Sequence, residues 1–320
     1  MKFFQRIFEK SIMCIICKYD VYEYAEADIR SYIDTKMTII DCSYCQSVYY
    51  IPDNFVNLTE LNCSDCPKLF SIPSTFVNLT KLDCYSCPKL ISIPDTLVNL
   101  IELNCWKCPR LISIPDTLVN LTKLYCPCCP NLTSIPDTLV NLTKLYCRNC
   151  PELTSIPDTL VNLTELNCSE CPLIFSVSVK WTLTKLNCSN CPRITSIPDI
   201  LVNLTKLKCF NCPKLRTIPD TLVNLTYLDC YNCPRLITIP ETLMNLTELD
   251  CDSCPNLTFI PVNIATNNYS NCPWLNSVYN PKYERNVMKF KEDFDSLLST
   301  HLFSPFLAKK IVKFLIPIEI

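Results

Sequence analysis

Apolar residues return along most of the chain with a period of 21. In one copy Leu142, Leu145 and Cys147 are followed by Cys150, Leu153, Ile156 and Leu160, with mainly polar residues between them. Leu145 and Cys147 stand two apart, the alternation of a short strand, so Lys144, Tyr146 and Arg148 point to its other face. The three-residue step to Cys150 breaks that alternation and predicts a corner. Pro151 and Pro157 then lack the N–H that a helix interior requires. The return half of each copy is therefore expected to be extended or a short 3₁₀ turn. A fixed period of about 20–30 residues marks a solenoid. One copy alone buries too little apolar surface to offset its ordering entropy, so the copies must stack, strand beside parallel strand.

The frame Cys-x-x-Cys-Pro recurs at Cys63/Cys66, Cys84/Cys87, Cys105/Cys108, Cys126/Cys129, Cys147/Cys150, Cys168/Cys171, Cys188/Cys191, Cys209/Cys212, Cys230/Cys233 and Cys251/Cys254. Its decay marks the ends. Cys42 and Cys45 are followed by Gln46 rather than proline, and Tyr269 stands where the last first-cysteine belongs. Between Cys168 and Cys188 the period drops to 20 and Trp181 enters, which predicts a local distortion of the return side. Three regions follow: an N-terminal helical cap over 1–36, carried by Phe3, Phe4, Ile7, Phe8 and Ile12; an array over 37–279 with about ten regular and two degenerate copies; and a C-terminal helical cap or docking segment over 280–320.

The spacing Leu142-x-x-Leu145-x-Cys147-x-x-Cys150, with a last apolar position at Leu153, resembles the leucine-rich repeat family, in its cysteine-containing form. The Ile156-Pro157-Asp158-x-Leu160 half is similar to the short repeats of bacterial effector proteins. The resemblance covers about 37–279. It implies an α/β solenoid: a leucine-rich-repeat horseshoe with a parallel β-sheet on the concave face, a mostly extended or 3₁₀ convex side, and helical caps. The chain has no glycine, and its Asn/Ile/Lys-rich composition points to an AT-rich genome; the repeats are similar to those of large DNA viruses or their amoebal hosts. If viral, the protein is expected in the host cytoplasm.

Composition narrows the chemistry. Net charge is −2, so no basic footprint for nucleic acid exists. The missing glycine excludes glycine-rich phosphate loops, and the single histidine, His301, leaves no basis for a histidine triad. No apolar run is long enough to span a membrane. The first ten residues carry charges where a secretory signal would be apolar, which predicts a cytoplasmic protein with reduced thiols; a monomer is expected. The 26 cysteines then read first as packing: both sulfurs of each copy fall at inward positions, where a thiol behaves as a small hydrophobe with a weak donor. A Cys₄ zinc site drawn from two copies is the rival. Disulfides are disfavoured by the compartment, and a redox role by burial. Cys128 is expected to point outward, and Cys14 and Cys17 to lie on a helix face. Asp95, Asp116, Asp137 and Asp158 recur after Ile-Pro and read as turn residues capping local N–H groups. The Asn-Leu-Thr matches to a glycosylation sequon come from the repeat itself.

Function is then expected at the variable outward positions beside the first cysteine. Aromatic residues gather there in two places, Tyr85, Trp106, Tyr125 and Tyr146 with Arg148, and Phe210, Tyr227 and Tyr231. Clustered Trp, Tyr and Arg form the composition of interface hot spots, although aromatic residues on strands also serve as cross-strand packing. The reading is a non-catalytic scaffold without cofactor or metal that binds a protein partner on its concave face. Two alternatives are a substrate-recruiting subunit of a ubiquitin ligase and a thiol-rich zinc-binding protein.

Overall fold

The computed structural model describes residues 36–273 except 179, 262, 263 and 265. Among them each copy contributes one three-residue strand: β1 (Ile39–Asp41), β2 (Glu60–Asn62), β3 (Lys81–Asp83), β4 (Glu102–Asn104), β5 (Lys123–Tyr125), β6 (Lys144–Tyr146), β7 (Glu165–Asn167), β8 (Lys185–Asn187), β9 (Lys206–Lys208), β10 (Tyr227–Asp229), β11 (Glu248–Asp250) and β12 (Thr266–Asn268). Chain order is also spatial order across a single twelve-stranded sheet. All pairs are parallel, and the 21-residue step places Leu124 beside Leu103 and Leu145. In β2 to β11 the central leucine is buried while its two neighbours turn outward.

Parallel neighbours require a crossover, and here it contains no helix among the described residues. Single turns close it instead. The Leu153 N–H donates to the Cys150 carbonyl at 3.2 Å, Leu160 to Pro157 at 3.3 Å and Leu163 to Leu160 at 3.1 Å. Each is the i→i+3 bond of 3₁₀ geometry, and the Thr164 N–H, which would extend the last turn, donates instead to the Thr143 carbonyl at 2.9 Å. The return side is thus an extended path with isolated turns. Leu142, Leu145, Leu153 and Leu160, with both cysteines, are fully buried and belong to one cluster running the length of the array.

Two further ladders hold the copies in register. The Asn141 Nδ2 donates to the Val119 carbonyl at 2.9 Å, and the Thr143 hydroxyl donates to the Thr122 carbonyl at 3.1 Å. The same pair of bonds repeats at Asn162 and Thr164, so Asn-Leu-Thr is a structural unit. The aspartates after Ile-Pro differ from expectation. Their carboxylates are exposed and cap no N–H among the described residues. It is the main-chain carbonyl that is used: Thr117 donates to Asp95, Thr138 to Asp116 and Thr159 to Asp137, each at 2.6 Å. Threonine one copy later reaches that carbonyl at 2.6 Å, and the aspartate side chain is left to solvent.

The irregular copy is repaired by Trp181. Its ring is 3% exposed, and its Nε1–H donates to the Pro157 carbonyl at 3.3 Å. One larger side chain fills the core that a residue fewer would leave open. At the far end Tyr269 packs partly buried against the core in the first-cysteine position. The helical caps expected over 1–36 and 280–320 lie outside the described residues, apart from Lys36, as do Cys14 and Cys17.

Candidate functional site

The cysteines form two buried columns of thiols. In each copy the second cysteine donates its S–H to the carbonyl of the first cysteine one copy earlier: Cys129 to Cys105 at 3.2 Å, Cys150 to Cys126 at 3.2 Å and Cys171 to Cys147 at 3.1 Å. In the first column Cys63 and Cys84 reach forward, to the Asp83 carbonyl at 3.4 Å and the Asn104 carbonyl at 3.2 Å. Burial pushes the Cys150 thiol up to about 12. It raises Cys126 too, helped by the adjoining Cys150, whereas in the second column hydrogen bonds lower Cys129 and Cys171 against the effect of burial. The second-column thiols are thus committed to main-chain carbonyls. Among the described residues no group of three or more His, Cys, Asp or Glu side chains could hold a metal ion. Cys128 is half-buried in a left-handed turn, and the Asn149 Nδ2 donates to its sulfur at 3.6 Å.

The sheet's outward face carries the sequence-predicted site residues, and the first group does come together in part. Tyr85 and Trp106 pack with centroids 5.1 Å apart at 58°, and Tyr125 and Tyr146 stack at 5.2 Å and 25°. The Tyr146 hydroxyl donates to Glu165 at 2.6 Å. Arg148 grips Glu170 through Nε at 3.1 Å and Nη2 at 2.7 Å. Trp106 and Arg148 are exposed; Tyr85, Tyr125 and Tyr146 are half-buried. The second group is looser. Among the described residues no ring contact joins Phe210, Tyr227 and Tyr231.

Charged residues of the same face complete the picture, and the aromatic pattern alone did not point to them. Lys107 sits over Trp106 and Tyr85, with Nζ 5.4 and 5.7 Å from their centroids. Lys208 sits 5.4 Å over Tyr227. Lys68 sits over Tyr49 at 4.9 Å, and these residues, like Lys107, Trp106 and Tyr85, lie outside the strands. Glu165 accepts from Tyr146, Lys144 and Lys185, the lysines both at 3.1 Å. Burial pushes its carboxyl up, but hydrogen bonds from Tyr146, Lys185 and Lys144 outweigh that and hold it at about 2. The signal was available: the first strand position reads Glu60, Lys81, Glu102, Lys123, Lys144, Glu165 and Lys185, with mostly opposite signs on adjacent strands.

The last strand position explains why Asn and Asp dominate there. The side chain of Asn104 accepts from the Trp106 N–H at 3.2 Å, Asp83 from Tyr85 at 3.1 Å and Asn187 from Ser189 at 3.1 Å. This is an Asx turn, closed two residues on, and it bends the chain into the cysteine corner. Three described copies place another residue there: Tyr125, Tyr146 and Lys208. At Tyr125 nothing is lost, because Pro127 has no N–H. At Tyr146 and Lys208 the Arg148 and Phe210 amides give up their cap.

A repeating solenoid with a single parallel sheet, leucine and thiol ladders and a varied outer face defines the class of leucine-rich repeat folds. The leucine-rich repeat family model matches residues 57–79, 182–204 and 224–246. Among solved structures, YopM, a leucine-rich effector protein from Yersinia pestis, aligns over 78% of this chain and 70% of its own, with 21% identity and a TM-score of 0.62. A TDR receptor aligns over 77% and 57%, with 19% identity and a TM-score of 0.52. The functional domain of InlJ from Listeria monocytogenes aligns at 22% identity with a TM-score of 0.45, over 74% of this chain, which spans 65% of that domain. No curated protein sequence matches the chain. The chain carries repeats of the leucine-rich repeat family. That fold generally serves as a protein–protein interaction scaffold.

Proposed function

We propose that the chain binds a protein partner on the outward face of its sheet, the concave face of the horseshoe, and has no catalysis of its own. Tyr85, Trp106, Tyr125, Tyr146 and Arg148 form the principal contact, and Phe210, Tyr227 and Tyr231 a second one. The observation that carries this reading is Tyr146. The repeat favours Asn or Asp at that position to cap a backbone amide, and the chain forgoes the cap for a half-buried tyrosine stacked on Tyr125. Aromatic residues ordered in advance lose little entropy on binding, which suits them to hot spots. No helix among the described residues is long and apolar enough to cross a membrane. The test is capture of partners from a host-cell extract by the full chain and by its Trp106→Ala/Tyr146→Ala variant. Capture should be lost with the circular dichroism spectrum unchanged; undiminished capture would place the site elsewhere.

A further inference from the structure

Two lysines sit over aromatic rings and form no ion pair among the described residues: Lys107, at a cysteine corner, over Trp106 and Tyr85, and Lys208 over Tyr227, with Asp229 beside it on the next strand. Many of their neighbours are neutralised, Lys123 by Glu102, Lys144 and Lys185 by Glu165, and Arg148 by Glu170. Lys81, between Glu60 and Glu102, and Lys206 also form no ion pair among the described residues, but no ring holds them. An aromatic face positions an ammonium without cancelling its charge. Such a cation is already ordered for a carboxylate arriving from outside. Both lysines also occupy positions the repeat would fill otherwise. Lys107 is left-handed at φ 55°, where Asn or Gly is easier, and Lys208 displaces the Asx cap.

We infer that the partner is an acidic protein segment that sets carboxylates on Lys107 and Lys208, and that these two lysines fix its register. The inference rests on the sheet-face reading given above and specifies its chemistry. The two seats are five copies apart, about 24 Å at about 4.8 Å per strand. An extended segment of about eight residues covers that distance. The ends of the face argue against a long polyanion such as nucleic acid. Asp41, Glu60 and Asp65 stand at one end, and Glu248, Asp250 and Asp252 at the other, so a polyanion running past the two seats meets like charge. A short acidic segment fits between them.

The experiment selects a displayed library of random peptides, about 16 residues long so as to span both seats, on the full-length chain. Enriched peptides should be rich in Asp and Glu and should weaken as salt rises to about 0.5 M. Their affinity should fall about tenfold or more with Lys107→Glu or Lys208→Glu and persist with Lys→Arg at either position. Neutral or basic peptides that still depend on Trp106 would overturn the acidic partner and leave the sheet face standing. Equal competition by a single-stranded oligonucleotide would overturn it too. Peptides indifferent to both Trp106→Ala and Tyr146→Ala, or no enrichment, would overturn the sheet-face reading itself.

Discussion

The residue before the second cysteine has positive φ in eleven successive copies, between 52° and 60°, although the chain contains no glycine. The left-handed region is strained for a residue with a Cβ, and Asn tolerates it best. Asn fills it at 149, 190, 211 and 232, while Lys107, Ser86 and Glu170 do not relieve it. What holds them there is the ladder: Ser86 donates its N–H to the Trp106 carbonyl at 2.7 Å, as each corner does to the next copy. Ser86→Gly should therefore raise stability by about 0.5–1 kcal/mol, the strain released being only partly cancelled by the freer unfolded chain. Urea unfolding would measure it, and a lower midpoint would contradict the strain. Glu165 supplies a pH signature at the same scale. Its folded carboxyl sits at about 2, below the ordinary 4.5, so its contribution is complete above about 4.5 and disappears as pH falls through 2. Glu165→Gln should flatten the acid limb of stability over that window, read by thermal melts at several pH values. Parallel limbs for the two proteins would remove Glu165 from the account. The thiols, strand register and buried leucines were readable from the 21-residue period, because period alone fixes which side chains face inward. The corner's handedness and the Glu165 hub were not, because both depend on atoms one copy away.

Within a single strand and its corner, structural need and function compete for the same position. The outward residue after the central leucine is Asn or Asp wherever it caps the amide two residues on, as at Asn104 and Asn167. Lys208 breaks that pattern and leaves the Phe210 amide without that cap. Lys208→Asn should restore the Asx turn and add about 0.5–1 kcal/mol of stability, while removing the cation over Tyr227. A variant that melts higher but binds less well would show that the chain exchanges stability for recognition here. A lower melting temperature would mean that the lysine's ring contact matters more than the cap. The Asx rule explains why the sequence reading found Tyr146 but not Lys208. Aromatic enrichment is visible as composition, whereas a lysine among many lysines becomes conspicuous only once the structural role of its neighbours in the same column is known. The reading of Asp95 and its counterparts failed for a related reason. A recurrent aspartate after a proline looks like a capping carboxylate, but the threonine of the next copy bonds its backbone carbonyl.

At the scale of the whole molecule the array is nearly one-dimensional, since each copy pairs only with its two neighbours. A whole copy should then be removable where half a copy is not. The irregular copy is the sharpest case, because its 20-residue length and Trp181 are the main departure inside the array. Deleting residues 172–191 joins Cys171 to Pro192 and returns the spacing from Cys168 to Cys209 to 21. The deleted chain loses one strand and the bond from Trp181 to Pro157, but restores an ordinary junction between regular copies. It should unfold cooperatively, with a melting temperature within a few degrees of the parent. Trp181→Ala in the full chain should instead lose about 3–5 kcal/mol, since it empties a buried site that neighbouring copies cannot close. The contrast separates two roles for the tryptophan. If both variants are equally damaged, the irregular copy is a required splice between two halves with different geometry. If only the substitution is damaging, Trp181 merely compensates for a lost residue. The deletion also brings Lys107 and Lys208 one strand closer, about 4.8 Å. A partner held at both lysines should register that shortening as weaker binding, even in a chain that folds as well as its parent.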